Sequence, residues 1–164
     1  MSSKSSGGKS DARPSNKKDI AVNKKALFKY NLVDKFECGI ELTGTEVKSL
    51  RDRNVSFVDS YAQFRGNELY LMKLNIARYK AGSWTNHEPE RPRRLLLHRS
   101  ELNRLAGRVR QKGNTIVPIA LYFKNGWAKV QIALVTHKTG ADKRQTMKER
   151  DAKRDLDRAR KWRR

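Results

Sequence analysis

A small, mainly antiparallel β fold with flanking helices is predicted by three observations. Residues 61–72 and 115–136 alternate apolar and polar side chains on either side of Gly66-Asn67 and Asn125-Gly126, dipeptides that readily adopt the positive φ angles of a two-residue hairpin turn. Two further stretches show the three- and four-residue apolar spacing of helices behind residues suited to cap them. Both ends of the 164-residue chain are polar and basic, which leaves one domain of ordinary size between them.

Composition narrows the function before any motif does. Lys and Arg number 38 against 17 Asp and Glu, a formal net charge of +21, and the excess extends to the middle of the chain, so the folded part itself carries a basic face. Such a surface selects polyanions, nucleic acid first. The single cysteine, Cys38, excludes an internal disulfide and fits a reducing cytoplasm; in an apolar-rich strand it reads as a small buried hydrophobe. His87, His98 and His137 are too scattered for zinc-ligand spacing. No apolar run approaches membrane-spanning length and the first residues lack the apolar segment of a secretory signal, which predicts a soluble, non-exported protein with no membrane partner. Phosphate-cradling glycine loops, dinucleotide motifs, nucleophile elbows and HExxH are all missing, so no enzyme activity, cofactor, metal or small-molecule substrate is expected. A nuclease built from His98, Glu37 and a basic residue is the enzymatic alternative, although isolated His and Glu are far more often a helix cap and an ion-pair partner.

Taken in order, residues 1–19 are rich in Ser, Gly, Lys and Asn and cannot bury enough apolar area to offset ordering entropy, so they are expected to be disordered. The folded domain is expected over residues 20–136. Residues 23–30 suit a short helix, after which Tyr30, Leu32, Phe36, Ile40 and Leu42 suggest an extended segment interrupted over residues 33–35. Thr43-Gly44-Thr45-Glu46 has the form of a capping box. A helix therefore begins near Gly44, with Val47 and Leu50 inward and Lys48, Arg51 and Arg53 free to face water or an anion. An ordinary connecting helix with solvated charges would show the same pattern.

The first hairpin pairs Arg65 with Glu68, which puts Phe64 beside Leu69 and Ala62 beside Leu71 on the core face and Gln63 opposite Tyr70 on the other. Residues 81–94, with two prolines and many polar groups, read as a long surface loop with Trp84 near its start. Residues 93–98 lead into a second helix capped by His98, with Glu101 at its third position and Leu102, Leu105, Ala106 and Val109 inward. In the second hairpin Phe123 faces Ala128, Leu121 faces Val130, Ile119 faces Ile132 and Val117 faces Leu134, while Tyr122 and Lys129 share the outer face. Pro118 argues that its first strand begins at a sheet edge or a bulge. Short antiparallel strands, two hairpins and one or two helices in a domain of this size suit a closed OB-like β-barrel, with a ferredoxin-like sandwich as the competing arrangement. The outer Lys, Arg, Tyr and Trp side chains of such a barrel would supply phosphate contacts and base stacking.

Residues 137–164 form a basic tail. Glu149 with Lys153 and Asp157 with Lys161 support a charged helix by i,i+4 pairing, but Ala152, Leu156, Ala159 and Trp162 make too thin a stripe to hold it to a core. The expectation is a tail disordered when free and helical when bound to a polyanion; a solvated solubility tail is the plainer alternative.

Several collinear blocks, IAVNKKALFKYNLVDKFECGIELTGTEVKSLR, DSY, NHEPERPRRLLLH, GNTIVPIALYFKNGWAKVQIALV and DKRQTMKERD, resemble the SsrA-binding protein (small protein B) family over nearly residues 20–151. That resemblance implies an OB-like barrel that binds the tRNA-like domain of transfer-messenger RNA and brings it to stalled ribosomes in trans-translation, with room for elongation factor Tu as a further partner. By position it places RNA contacts on Glu37, Leu96 and His98; the basic residues Lys24, Lys48 and Arg51 complete the expected RNA-binding set. It assigns the ribosome-facing role to the tail, with Lys138, Asp142, Lys143, Arg144, Lys161 and Trp162 as candidates. The chain departs from the family pattern before Asp142, where residues 136–141 replace a Lys-Gly-Lys-Lys run and keep only the charge of Lys138, and near the end, where Lys161-Trp162 stands for two bulky apolar residues.

Overall fold

The structure, a computed structural model, describes residues 17–82 and 86–162. The chain runs through β1 (Lys17–Val22), α1 (Lys24–Lys29), β2 (Tyr30–Ile40), α2 (Gly44–Arg51), β3 (Val55–Ser56), β4 (Tyr61–Arg65), β5 (Glu68–Met72), β6 (Asn75–Ile76), β7 (Arg93–Leu96), α3 (Arg99–Val109), β8 (Asn114–Lys124), β9 (Trp127–His137) and α4 (Gly140–Trp162). Strands β8, β4, β5, β7, β2 and β9 are neighbours in that order and β9 pairs back onto β8, so the pairings form a ring, with β1 added on β8. The strands β3 and β6 make a separate small pair. The architecture is thus mainly β with flanking helices.

Inside the ring the alternate residues of each strand meet in one core that includes Phe36, Cys38, Leu69, Leu71, Ile116, Leu121, Val130 and Ile132, with Leu50 of α2 and Leu105 of α3 inserted into it. The Cys38 thiol donates to the Val130 carbonyl at 3.1 Å. Burial pushes its pKa up to about 12, which keeps it a protonated core group.

The first hairpin has the register expected from its turn, from Arg65↔Glu68 to Ala62↔Leu71. The second keeps Phe123↔Ala128, Leu121↔Val130 and Tyr122↔Lys129 but then shifts: Pro118 faces Ile132, and Val117 faces Ala133 rather than Leu134. Ile119 is the extra residue of a bulge. Pro118 has no N–H to give the ladder, and the Ile119 carbonyl accepts the Asn23 amide at 2.7 Å instead. The slip turns Val117 and Ile119 to the opposite face, where they join Ala133, Val135 and Ala26 of α1 in a second core. The single helical turns of α1 are held there by Asn23, whose side chain caps Ala26 and donates to the Pro118 carbonyl, both at 3.0 Å.

Three further expectations are corrected. The N-terminal segment expected to be disordered to residue 19 contributes Lys17–Asp19 to β1, because backbone pairing to β8 needs no apolar period and only Ile20 of that stretch is buried; its earlier residues lie outside the described ones. The break expected over residues 33–35 is a bulge inside a continuous β2, between Leu32 and Asp34. Residues 93–96, read as loop and helix lead, form β7 between β5 and β2. At the other boundary β9 reaches His137, and the tail beyond it is one helix, α4. Its first turn closes locally: the Thr139 amide donates to Asp142 Oδ2 at 3.1 Å, and Asn31 of β2 reaches the same oxygen at 3.5 Å. Further along, the Arg150 guanidinium lies 5.0 Å from the Phe28 ring of α1. Trp84 lies outside the described residues.

Candidate nucleic-acid interface

Residues paired across antiparallel strands share a face, so register alone assembles the site. Leu96 pairs with Gly39, Gly39 with Lys129, and Lys129 with Tyr122, a row crossing β7, β2, β9 and β8 on the outside of the ring. The next row joins Lys17, Lys124 and Trp127. Where the same outer face of β8 and β9 continues to Val117, Ile119, Ala133 and Val135, α1 covers it. What α1 leaves open is a strip of cations with Trp127 at one end, 75% exposed, and Leu96 at the other, 49% exposed.

Glu37 stands in the middle of that strip with its carboxylate fully engaged. Tyr122 Oη donates to Oε2 at 2.5 Å, and Lys124 Nζ contacts Oε1 at 2.9 Å and Oε2 at 3.2 Å. The Tyr122 bond first, and the Lys124 contact second, hold the Glu37 carboxyl below its ordinary range. Burial, and then the bond to Glu37, pushes Tyr122 up. Lys17 Nζ lies 4.1 Å from the centre of the Tyr122 ring, so this tyrosine is buried and offers no stacking surface, contrary to the expectation for the outer aromatics. Glu37 therefore fixes two neighbours, Tyr122 and Lys124, on the face that also carries Lys17 and Lys129.

Leu96 is exposed because β7 alternates, with Arg93 and Leu95 inward and Arg94 and Leu96 outward. Gly39 beside it is bare backbone; a Cβ there would stand 3.2 Å from the Leu96 Cβ. His98 caps α3 two residues on; it is exposed, and its amide donates to Glu101 Oε2 at 3.3 Å. Glu37, Leu96 and His98 are thus gathered on or beside one face. Lys48 and Arg51 are exposed on α2, with Lys48 Nζ 5.5 Å from the Tyr79 ring, and belong to a separate element. Lys24 opens α1 and lines a groove with Arg150, Lys153 and Arg154 of α4. In the tail Lys138 is tied down, its amide to the Lys29 carbonyl and its Nζ to Thr146 Oγ1, both at 3.1 Å. The bonds from Thr139 hold the Asp142 carboxyl low. Lys143 and Arg144 follow in the first turns of α4, and Lys161 and Trp162 are the last positions of that helix, with side chains outside the description.

The ion cluster behind α2 went unread in the sequence. Thr43 donates its amide to Glu46 Oε2 at 2.8 Å as part of the expected capping box, but Glu46 is also fully buried and receives Arg91 through both oxygens, at 2.8 and 2.7 Å, and Arg93 at 2.8 Å. Arg93, equally buried, donates further to the carbonyls of Leu74, Pro89 and Arg91. Burial alone would raise the Glu46 carboxyl; the Arg91 and Thr43 bonds and the Arg93 charge outweigh it and hold it low. The cluster fastens the long loop to α2 and so fixes where β7, with Leu96, begins. The available signal was Arg93 two residues before Leu95, the inward parity of a strand.

A family model described as SmpB protein matches residues 20–162. The chain belongs to the SmpB family. Among relatives, the SsrA-binding protein of Acidothermus cellulolyticus is 52% identical over 148 residues, covering 90% of this chain and 93% of its own. That of Salinispora arenicola is 50% identical over 147 residues, covering 90% and 92%. A solved SmpB chain, described under "tmRNA-SmpB: a journey to the center of the bacterial ribosome", is 42% identical with a TM-score of 0.61, over 82% of this chain and 95% of that one. Among the described residues no cluster of His, Cys, Asp and Glu is placed to hold a metal, and no helix is long and apolar enough to cross a membrane.

Proposed function

We propose that this chain binds the tRNA-like domain of transfer-messenger RNA through the outer strand face around Glu37, Leu96 and Lys129, and carries that RNA to stalled ribosomes in trans-translation without catalysing a reaction itself. The reading is carried by membership of the SmpB family over nearly the whole chain, joined to a face where an exposed Leu96 shares the outer strands with Lys17, Lys124 and Lys129 around an engaged carboxylate. The ring of pairings would serve as a closed OB-like barrel, an architecture that offers a strand face and loops to RNA. In this reading residues 20–136 with β1 are the RNA-binding body, and Lys24, Lys48 and Arg51 add phosphate contacts around it. Residues 137–164 form the ribosome-facing tail, through Lys138, Asp142, Lys143, Arg144, Lys161 and Trp162. Elongation factor Tu is a further partner of the loaded complex, and the work is done in the cytoplasm.

The test is Leu96→Asp. The side chain is exposed, so the melting temperature should stay within a few degrees, whereas affinity for a tRNA-like RNA should fall at least tenfold relative to a single strand of equal length. Unchanged affinity would remove this face from the interface. Equal binding of both RNAs by the unsubstituted protein would reduce the chain to a general RNA binder.

A further inference from the structure

A second feature lies next to this face. Between α3 and the β4–β5 turn runs a half-open groove of about 230 Å³, whose lining is apolar at Phe64, Leu102, Ala106 and Val109 and polar at Asn67 from the turn and Asn103 from the helix, with Arg99 and Arg110 also on it. Positions 99, 103, 106 and 110 fall on one helical stripe, and the two arginines lie about 16 Å apart along the axis. Their neighbours on α3, Arg104 and Arg108, share the Asp34 carboxylate as an ion-pair partner, at 2.7 and 2.8 Å. Among the described residues Arg99 and Arg110 have no such carboxylate.

An apolar lining with an aromatic ring suits the face of a base. Two side-chain amides, each offering donors and an acceptor, suit its edge, and guanidinium groups suit phosphate. We propose that this groove binds an unstacked nucleotide of single-stranded RNA, with the base over Phe64 and Ala106, its edge on Asn67 and Asn103, and the flanking phosphates on Arg99 and Arg110. The inference rests on the RNA-binding reading above and extends it: Arg99, at one end of the groove, directly follows His98, a residue proposed for the RNA-binding face. An acidic peptide could satisfy the two arginines, but it would leave both amides and the ring unused.

The test uses the full chain, isotopically labelled, with uridine and adenosine trinucleotides as probes and the side-chain amide signals of Asn67 and Asn103 as the readout. Both signals should move and saturate with a trinucleotide and stay in place with a fully paired RNA hairpin. Ala106→Leu, which fills the groove, should weaken the trinucleotide at least tenfold. Asn103→Ala, at an exposed position, should weaken it several-fold and serves if the first variant does not fold. The proposal is overturned if neither amide moves, if an acidic peptide of equal charge moves them as strongly, or if both variants bind the trinucleotide unchanged. Retention of tRNA-like RNA by Leu96→Asp would count against the strand face alone and leave the groove result standing.

Discussion

A fully buried guanidinium survives only where its donors are met, and Arg93 meets them with one carboxylate and three loop carbonyls. Arg93→Leu would leave Glu46 buried with Arg91 alone, so unfolding in urea should show a loss of about 3–5 kcal/mol. Glu46 has a lowered pKa in the fold, so its stabilisation is present above the ordinary carboxylate range and is lost as pH falls through the lowered value. In Arg93→Leu that acid-dependent loss should begin at a higher pH. Glu37 obeys the same sign with a different consequence. Its carboxyl signal should titrate below an unperturbed glutamate, and Tyr122→Phe should move the midpoint up by removing the largest cause of the shift. A Glu37 midpoint indifferent to Tyr122→Phe would mean that the 2.5 Å bond does not form in solution.

At the level of elements, α1 is too short to stand by itself and depends on Asn23 and on the bulge that turns Val117 and Ile119 towards it. Asn23→Ala should cost about 1–2 kcal/mol, as the loss of a helix cap, with amide exchange rising together in α1 and around the β8 bulge. Exchange rising in α1 alone would separate the two. Helix α2 is exposed at Lys48 and Arg51, so reversing both charges should leave stability nearly unchanged and reduce the salt slope of RNA binding by about one unit per lost phosphate contact. An unchanged slope would take α2 out of the interface.

Over the whole molecule the proposed function divides the work between the strand ring and the tail. Cutting the chain after Ala141 should leave tRNA-like RNA binding largely intact at physiological salt, where loosely held screened charges count for little, and should abolish rescue of stalled ribosomes. The companion pair Glu37→Ala with His98→Ala should do the reverse, with a small fall in melting temperature from the lost helix cap. If the truncated protein loses specific RNA binding as completely as the pair does, the tail belongs to the RNA interface.

Local chemistry was enough for what local chemistry decides. The two hairpin turns, the Phe123↔Ala128 end of the second register, the start of α2 at its capping box and the start of α3 at His98 all follow from residues within a few positions of one another, and collinear blocks of sequence carried the family. Long-range partners decided the rest. Strand β1 exists because β8 offers it an edge, and β7 exists because β5 and β2 leave a place between them. Pro118 signalled an edge or a bulge, but the partner that takes up the freed carbonyl there, where two expected pairings of the second hairpin are lost, is Asn23, 95 residues away. Glu46 was legible as a cap but not as the acid of a buried cluster, since its arginines lie 45 and 47 residues away. The face that gathers Glu37, Leu96 and Lys129 exists only once strand register has placed four strands side by side.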